Sequence, residues 1–177
     1  QPDAMVGISN TFTYKNLTLG FLIDARLGGE IFSGSNHALQ ASGNASATVV
    51  NGDRADFIVE GVVSDGSGGF TANNTAVSPQ DYWTGNLGIT EANIFDATNI
   101  RLRNVNVNYN LKSKWLTDSG IQNAKIGISA NNVWMIKNNL NGIDPESVFA
   151  TSTNATGFEY LSPPTTSSVF LNLSLSF

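Results

Sequence analysis

The chain of 177 residues contains no cysteine. That excludes disulfides, thiol catalysis and cysteine-ligated zinc. Charge is sparse: 13% of residues are Asp, Glu, Lys or Arg, against roughly 25% in a typical soluble domain. The formal net charge is -5 and Lys and Arg nowhere cluster, which argues against a nucleic-acid partner. No apolar run approaches the ~20 residues that a membrane helix needs. Histidine occurs once, at His37. A metal site or a general base needs partners at fixed spacing, so His37 reads as an ordinary loop residue. No Gly-x-Ser-x-Gly, phosphate-loop or His-Glu-x-x-His motif occurs. Neither an enzyme nor a metal nor a cofactor is therefore expected. Asp65-Gly66-Ser67-Gly68-Gly69 resembles a calcium loop but lacks the later acidic ligands. A flexible turn is the reading there, with calcium as the alternative.

What is present is alternation. The chain closes on Val169, Leu171, Leu173, Leu175 and Phe177, with Asn172, Ser174 and Ser176 between them. A strand turns successive side chains to opposite faces. Leu171, Leu173, Leu175 and Phe177 are thus expected to face lipid, and Asn172 and Ser174 a watery lumen. About ten such residues ending in an aromatic is the pattern of a transmembrane β-strand. Similar alternation marks strands at about 5–14, 17–32, 98–112 and 124–137, besides 168–177. Lys15-Asn16 reads as a tight hairpin turn, with Asn16 supplying the positive φ. Asp24 and Arg26 are two apart on one polar, lumen-facing side, where an ion pair between them is expected. The phase slips near Arg103-Asn104, suggesting a β-bulge, and blurs at Asn131-Asn132.

Two stretches, about 34–96 and 138–166, lose the alternation and are rich in Gly, Asn, Ser and Ala or in Pro. Loops this long suit the outer side of a bacterial barrel. The short connections, Lys15-Asn16 and about 113–123, fall at the other end. Tyr14, Tyr109 and Trp115 are placed near the inner interface, Phe32 and Trp134 near the outer one. The fold class expected is all-β: the C-terminal segment, about five antiparallel strands, of a large transmembrane β-barrel with two long extracellular loops. Bacterial barrels need an even number of strands and at least about eight, so other strands must complete the wall. No signal peptide opens the chain, and Gln1-Pro2-Asp3 reads as loop. A mature protein or a piece of a longer one is expected. Tyr82 and Trp83, beside Asp81, and Phe158 and Tyr160 are the candidate ligand contacts: rings stack on sugar faces and carboxylates accept hydroxyl hydrogen bonds. The competing reading makes these rings apolar anchors for the loops.

Four stretches carry a resemblance. They are Phe12-Thr13-Tyr14-Lys15-Asn16-Leu17-Thr18-Leu19 leading into Asp24-Ala25-Arg26-Leu27-Gly28-Gly29; Arg54, Val59-Glu60-Gly61-Val62, Asp65-Gly66 and Ala76-Val77-Ser78-Pro79-Gln80-Asp81-Tyr82-Trp83; Asn99-Ile100-Arg101-Leu102-Arg103-Asn104-Val105; and Ile126-Gly127-Ile128-Ser129-Ala130-Asn131-Asn132-Val133-Trp134 followed by Asp144-Pro145-Glu146. In this order and spacing they resemble the C-terminal part of the SusC/RagA family of TonB-linked outer-membrane transporters. The resemblance implies a barrel of about 22 strands around a plug, in the outer membrane of Bacteroidetes, with the loops exposed at the cell surface. It implies a SusD-like surface lipoprotein as a lid, TonB as the energy source, and oligosaccharides or peptides as cargo. Tyr82, Trp83, Asp81, Phe158 and Tyr160 would then touch cargo or lid. The terminal strand resembles the signal read by the barrel-assembly machinery. Two departures stand out: this chain holds no plug domain or TonB-binding segment, and the glycine-rich stretch from Gly61 to Phe70 matches no ligand class. A soluble β-sandwich that binds carbohydrate or mediates adhesion is the alternative; it would bury the same apolar faces as a core.

Overall fold

The computed structural model describes residues 1–112, 116, 118, 120–149, 151 and 154–177. Alternation builds its main sheet. Strand β1 (Ala4–Tyr14) turns at Lys15-Asn16 into β2 (Leu17–Leu27). The left-handed residue is Lys15 (φ 53) rather than Asn16; a hairpin of this kind takes its positive φ at the first turn position. The Lys15 ammonium lies over the Tyr14 ring, 5.2 Å from its centre.

After β2 come β3 (Glu30–Ser33), α1 (Gly34–Ala41), the short strands β4 (Phe57–Ile58), β5 (Val62–Ser64), β6 (Phe70–Ala72) and β7 (Ala76–Val77), α2 (Pro79–Gly85) and β8 (Ile94–Asp96). The long strands β9 (Asn99–Leu111) and β10 (Asn123–Asn138) follow, then β11 (Phe158–Glu159) and β12 (Ser168–Ser176). The main sheet is antiparallel with order β1-β2-β9-β10-β12. Each long strand pairs with the next long strand of the chain. Both outer edges, β1 and β12, are unpaired among the described residues. No helix among the described residues is long and apolar enough to cross a membrane.

The strand expected over 17–32 stops at Leu27. Gly28 and Gly29 take φ of 76 and 80, and a Cβ on Gly29 would lie 2.6 Å from the Gln1 carbonyl oxygen. Only glycine fits that left-handed corner. Beyond it β3 leaves the main sheet and joins a small one between β11 and β8. Phe32 therefore sits in this small sheet, not at the end of a long strand. Trp115 lies outside the described residues.

Register makes the two faces of the main sheet continuous. Phe12 pairs with Leu19, Leu19 with Val107, Val107 with Ile128 and Ile128 with Leu171. One row further, Tyr14, Leu17, Tyr109, Ile126 and Leu173 cross the sheet in the same way. Nothing in the described chain covers this belt: Leu171 is 74% and Leu173 65% exposed. Buried hydrophobic residues number four among those described, Ile31, Leu116, Ala124 and Leu140. The sheet is not stabilised by a core of its own.

The opposite face is mostly polar, with Met5, Leu22 and Phe170 as apolar members. Asn104, Asn106 and Asn108 form a ladder along β9, Asn106 donating to Asn104 (3.1 Å) and Asn108 to Asn106 (3.3 Å). Asn104 also donates to Asn131 (2.8 Å). Gly20 and Gly127 make room for it: a Cβ would lie 2.7 Å from the Asn106 amide nitrogen or 2.3 Å from the Asn108 amide oxygen. The slip at Arg103 is a bulge. Leu22 pairs with Asn104 but Ile23 with Leu102, so Arg103 has no partner opposite on β2. The extra residue lets Arg103 and Asn104 share the polar side.

The stretch from 34 to 96, expected as irregular, holds two short helices. Ser33 caps α1, its hydroxyl accepting from the Asn36 N–H (3.0 Å). Ser78 caps α2, accepting from the Asp81 N–H (3.1 Å), with Pro79 in the first turn. Between them residues 57–77 form a narrow two-stranded arm, β4 with β7 and β5 with β6.

Candidate functional site

Three groups of side chains stand out. The first is a charge cluster where β2 and β9 meet the 138–166 loop. Arg103 grips Asp24 through Nη2 (2.6 Å) and Nε (3.1 Å). It also makes a two-pronged pair with Glu146, at 2.7 and 2.8 Å. Arg101 pairs with Asp144 (2.7 Å) and donates to Thr165. Arg26 Nε and Arg101 Nε both lie 3.5 Å from Glu146. The pair expected between Asp24 and Arg26 is thus replaced by partners on other elements. A long loop supplies carboxylates that reach the sheet, and the bulge aims Arg103 at Asp24 and Glu146.

Geometry sets the titration of the loop carboxylates. Burial works to raise Asp144, but hydrogen bonds from Arg101 and Thr165, with backbone N–H donors of Glu146 and Thr165, outweigh it and bring it from 3.8 to about 2. Burial is likewise overcome at Glu146, where Arg103 foremost, then Arg101 and Arg26, hold the carboxyl below its usual range. A carboxyl depressed by folding stabilises fully above its unfolded pKa, and that contribution vanishes as pH falls through the folded one. For Asp144 this is about 2 kcal/mol, present above pH ~4 and lost toward the folded value of about 2. The 138–166 loop should therefore become protease-sensitive between pH ~4 and ~2, and Asp144→Asn should show that sensitivity already at pH 7. Limited proteolysis across that range checks it; a loop equally resistant at both ends would refute the assignment.

The second group is a buried knot joining the two loops. Glu159 on β11 is 1% exposed. It accepts from the Ser33 hydroxyl, from the Ser35 N–H (3.1 Å) and from the Ser35 hydroxyl (2.6 Å). Beside it Phe158 stacks on Phe32, ring centres 5.4 Å apart and planes at 2°. Tyr160 continues the stack at 6.3 Å from Phe158. Phe158 is thus a packing ring, while Tyr160 remains 45% exposed.

The third is a cleft of about 450 Å³ beside α1 and α2, lined by Gln40, Ser42, Arg54, Ser78, Gln80 and Trp83 among others. Trp83 meets Tyr82 edge-on (5.2 Å), and Tyr82 meets Phe57 in the same way (5.3 Å). Trp83 lines the cleft; Tyr82 anchors α2 to the base of the arm. The Asp81 carboxylate accepts from the Ser78 hydroxyl (2.7 Å), closing the helix cap. Asn172 donates to the Ser129 hydroxyl (3.0 Å) on the polar face, and Ser174 lies opposite Lys125 there. Leu171, Leu173, Leu175 and Phe177 are exposed.

Sequence reasoning assigned no role to Arg101, Arg103, Asp144, Glu146, Arg54 or Glu159. One signal was present: Arg101 and Arg103, like charges two apart in a strand, require counter-charges from elsewhere, and Asp144-x-Glu146 is a matching pair. For Glu159 no local signal exists, since its partners are 124–126 residues away.

No protein-family model matches the chain. It is similar to TonB-dependent receptor P3 of Formosa agariphila, 25% identical over 181 residues. That match covers 99% of this chain and 16% of the relative, so the chain spans a small part of that protein's length. The similarity supports the TonB-dependent receptor family for this chain.

Proposed function

We propose that this chain supplies five strands of barrel wall and two outer loops to a SusC/RagA-type TonB-dependent transporter of a bacterial outer membrane. The observation that carries the reading is the uncovered apolar belt, continuous over β1, β2, β9, β10 and β12, backed by a face on which Asn, Ser, Thr and charged side chains predominate. A soluble sandwich would lay a second layer over that belt, and none of the described residues lies there. An exposed apolar sheet with unpaired edges is an aggregation site in water, but it is a wall in lipid once flanking strands pair β1 and β12.

In this reading Leu171, Leu173, Leu175 and Phe177 face hydrocarbon, and Asp24, Arg26, Asn172 and Ser174 face the lumen. Remaining strands and a plug come from the rest of the polypeptide, and TonB acts through that plug. The 34–96 and 138–166 loops face outward. Trp83, with Tyr82 and Asp81 holding its helix, meets cargo or a SusD-like lipoprotein lid, as does Tyr160 at the end of the stack built on Phe158. Oligosaccharides or peptides pass along the amide-lined wall. The barrel-assembly machinery reads the β12 edge during insertion.

The absence of cysteine in this chain makes the test direct. Single cysteines at positions 171 to 175 of the full receptor, labelled with a fluorophore, should alternate. Brominated lipid should quench labels at 171, 173 and 175, and aqueous iodide those at 172 and 174. Quenching without a period of two would remove the basis for the membrane reading.

A further inference from the structure

We propose that the cleft beside α1 and α2 binds a carboxylate group, and that Arg54 is the residue that holds it. The inference deepens the transport reading and rests on it only in taking the 34–96 loop to be open to water on the cargo side.

Charge bookkeeping along that loop makes Arg54 unusual. Residues 34 to 96 contain Asp53, Asp56, Glu60, Asp65, Asp81, Glu91 and Asp96, yet Arg54 is their only Lys or Arg. In such surroundings an arginine should pair with a carboxylate. Among the described residues Arg54 makes no ion pair. Of the acids beside it in sequence, Asp53 accepts from the Arg54 backbone N–H (2.6 Å) and Asp56 makes no ion pair with it, while Asp81, next to the cleft-lining Gln80, accepts from the Ser78 hydroxyl (2.7 Å). No Asp or Glu lines the cleft. This cleft in an acidic loop is thus lined by no carboxylate and holds the only Lys or Arg of residues 34 to 96.

The guanidinium is exposed and tethered at one point. Nη2 donates to the Gly43 carbonyl at the end of α1 (2.7 Å). Gly43 has φ 71, and a Cβ there would lie 3.2 Å from Nη1, so glycine lets the guanidinium lie against the helix end. Nη1 and Nε have no protein acceptor among the described residues. Nη2 carries two hydrogens, and whichever one Gly43 takes, the other still lies parallel to the Nε–H or to an Nη1–H; such a pair matches the two oxygens of a carboxylate. Around the fork stand the Gln40 and Gln80 amides and the Ser42 and Ser78 hydroxyls, with Trp83 as an apolar wall. The occupant that fits is a carboxylate joined to a polar body of hydroxyl or amide groups. A sugar acid and a peptide C-terminus share that chemistry.

The test uses the full-length receptor in detergent and isothermal titration calorimetry with four probes: a galacturonic acid trimer, the neutral galactose trimer, an unmodified tripeptide and its C-terminal amide. One acidic probe should bind at least about tenfold tighter than its neutral counterpart, the ratio expected for one charge-assisted pair. Which acidic probe does so identifies the source of the carboxylate. Arg54→Ala should erase that preference. Arg54→Lys can still donate to the Gly43 carbonyl and so keeps the helix end, but it loses the fork; it should recover less than a tenth of the affinity. Gln80→Glu, which leaves Arg54 in place and gives it an internal partner, should also lower binding of the acidic probe. Equal binding of acidic and neutral probes, no binding of any probe, or full recovery by lysine would each overturn the proposal. Binding is read without transport. Arg54-dependent binding in a receptor that fails to import would overturn the transport reading alone, and import with Arg54-independent binding would overturn this one alone.

Discussion

Replacing Leu173 with arginine should nearly abolish surface-exposed receptor, whereas Ser174→Arg, one residue on, should leave most of it. Leu173 stands opposite Ile126, which stands opposite Tyr109, and that row runs on through Leu17 to Tyr14. An arginine there would sit in the apolar belt. At the middle of a bilayer this costs roughly 2–4 kcal/mol. Ser174 stands on the other face, opposite Lys125. Arginine at 174 meets only cross-strand repulsion from that lysine, about 0.2–1 kcal/mol, and Ser174→Glu should be neutral because it gives Lys125 a partner. Surface labelling of whole cells measures all three. Equal losses for Leu173→Arg and Ser174→Glu would mean that the two faces touch the same medium, and the barrel wall would have to be given up.

The second large effect is expected at Glu146. Its side chain is 9% exposed and lies among Arg26, Arg101 and Arg103. Removing one member of a buried pair costs about 3–5 kcal/mol, because the partner is left charged and dry. Glu146→Ala leaves three guanidinium groups with Asp24 and Asp144 alone. Arg26 is half-exposed and will be screened, so the lower end, about 3 kcal/mol, is expected. The loss should appear as release of the 138–166 loop while the sheet persists. Limited proteolysis should cut the variant within that loop at neutral pH, with receptor abundance held. Glu146→Gln, which keeps part of the hydrogen bonding, should be intermediate. Pairing Glu146→Leu with Arg103→Met should recover part of the loss, since the partners' costs are coupled. A Glu146→Ala loop as resistant as that of Glu60→Ala, a change at an exposed arm position, would show that the cluster does not hold the loop.

The two effects differ in how far they could be read from the chain. Leu173 is legible because a strand has a period of two, and five residues of Val169–Phe177 already display it. The bulge was legible for the same reason: at Arg103-Asn104 the phase changes sign. The corner at Gly28-Gly29 was overlooked because Glu30–Ser33 goes on looking like strand, and it is one, in another sheet. The helices α1 and α2 were hidden by their length. Eight and seven residues are about two turns, too few for a 3.6-residue period to stand out. Ser78-Pro79-Gln80-Asp81 did carry a start signal, a capping hydroxyl followed by proline and an acid. The charge cluster was illegible as a cluster. Arg103 meets Asp24 79 residues away and Glu146 43 residues away, and no local rule selects those partners over others.

What the chain determines by itself is its pair of unlike faces, since side-chain alternation is a property of each strand and needs no neighbour. The same holds for the lack of thiol chemistry and of a long apolar run, which follow from the residues alone. What only the tertiary structure decided is which of the arginines are neutralised and which is not. Arg101 and Arg103 find their carboxylates, and Arg54 does not. That outcome depends on distances across loops, where Coulomb and hydrogen-bond energies fall off within a few ångströms and sequence separation carries no information.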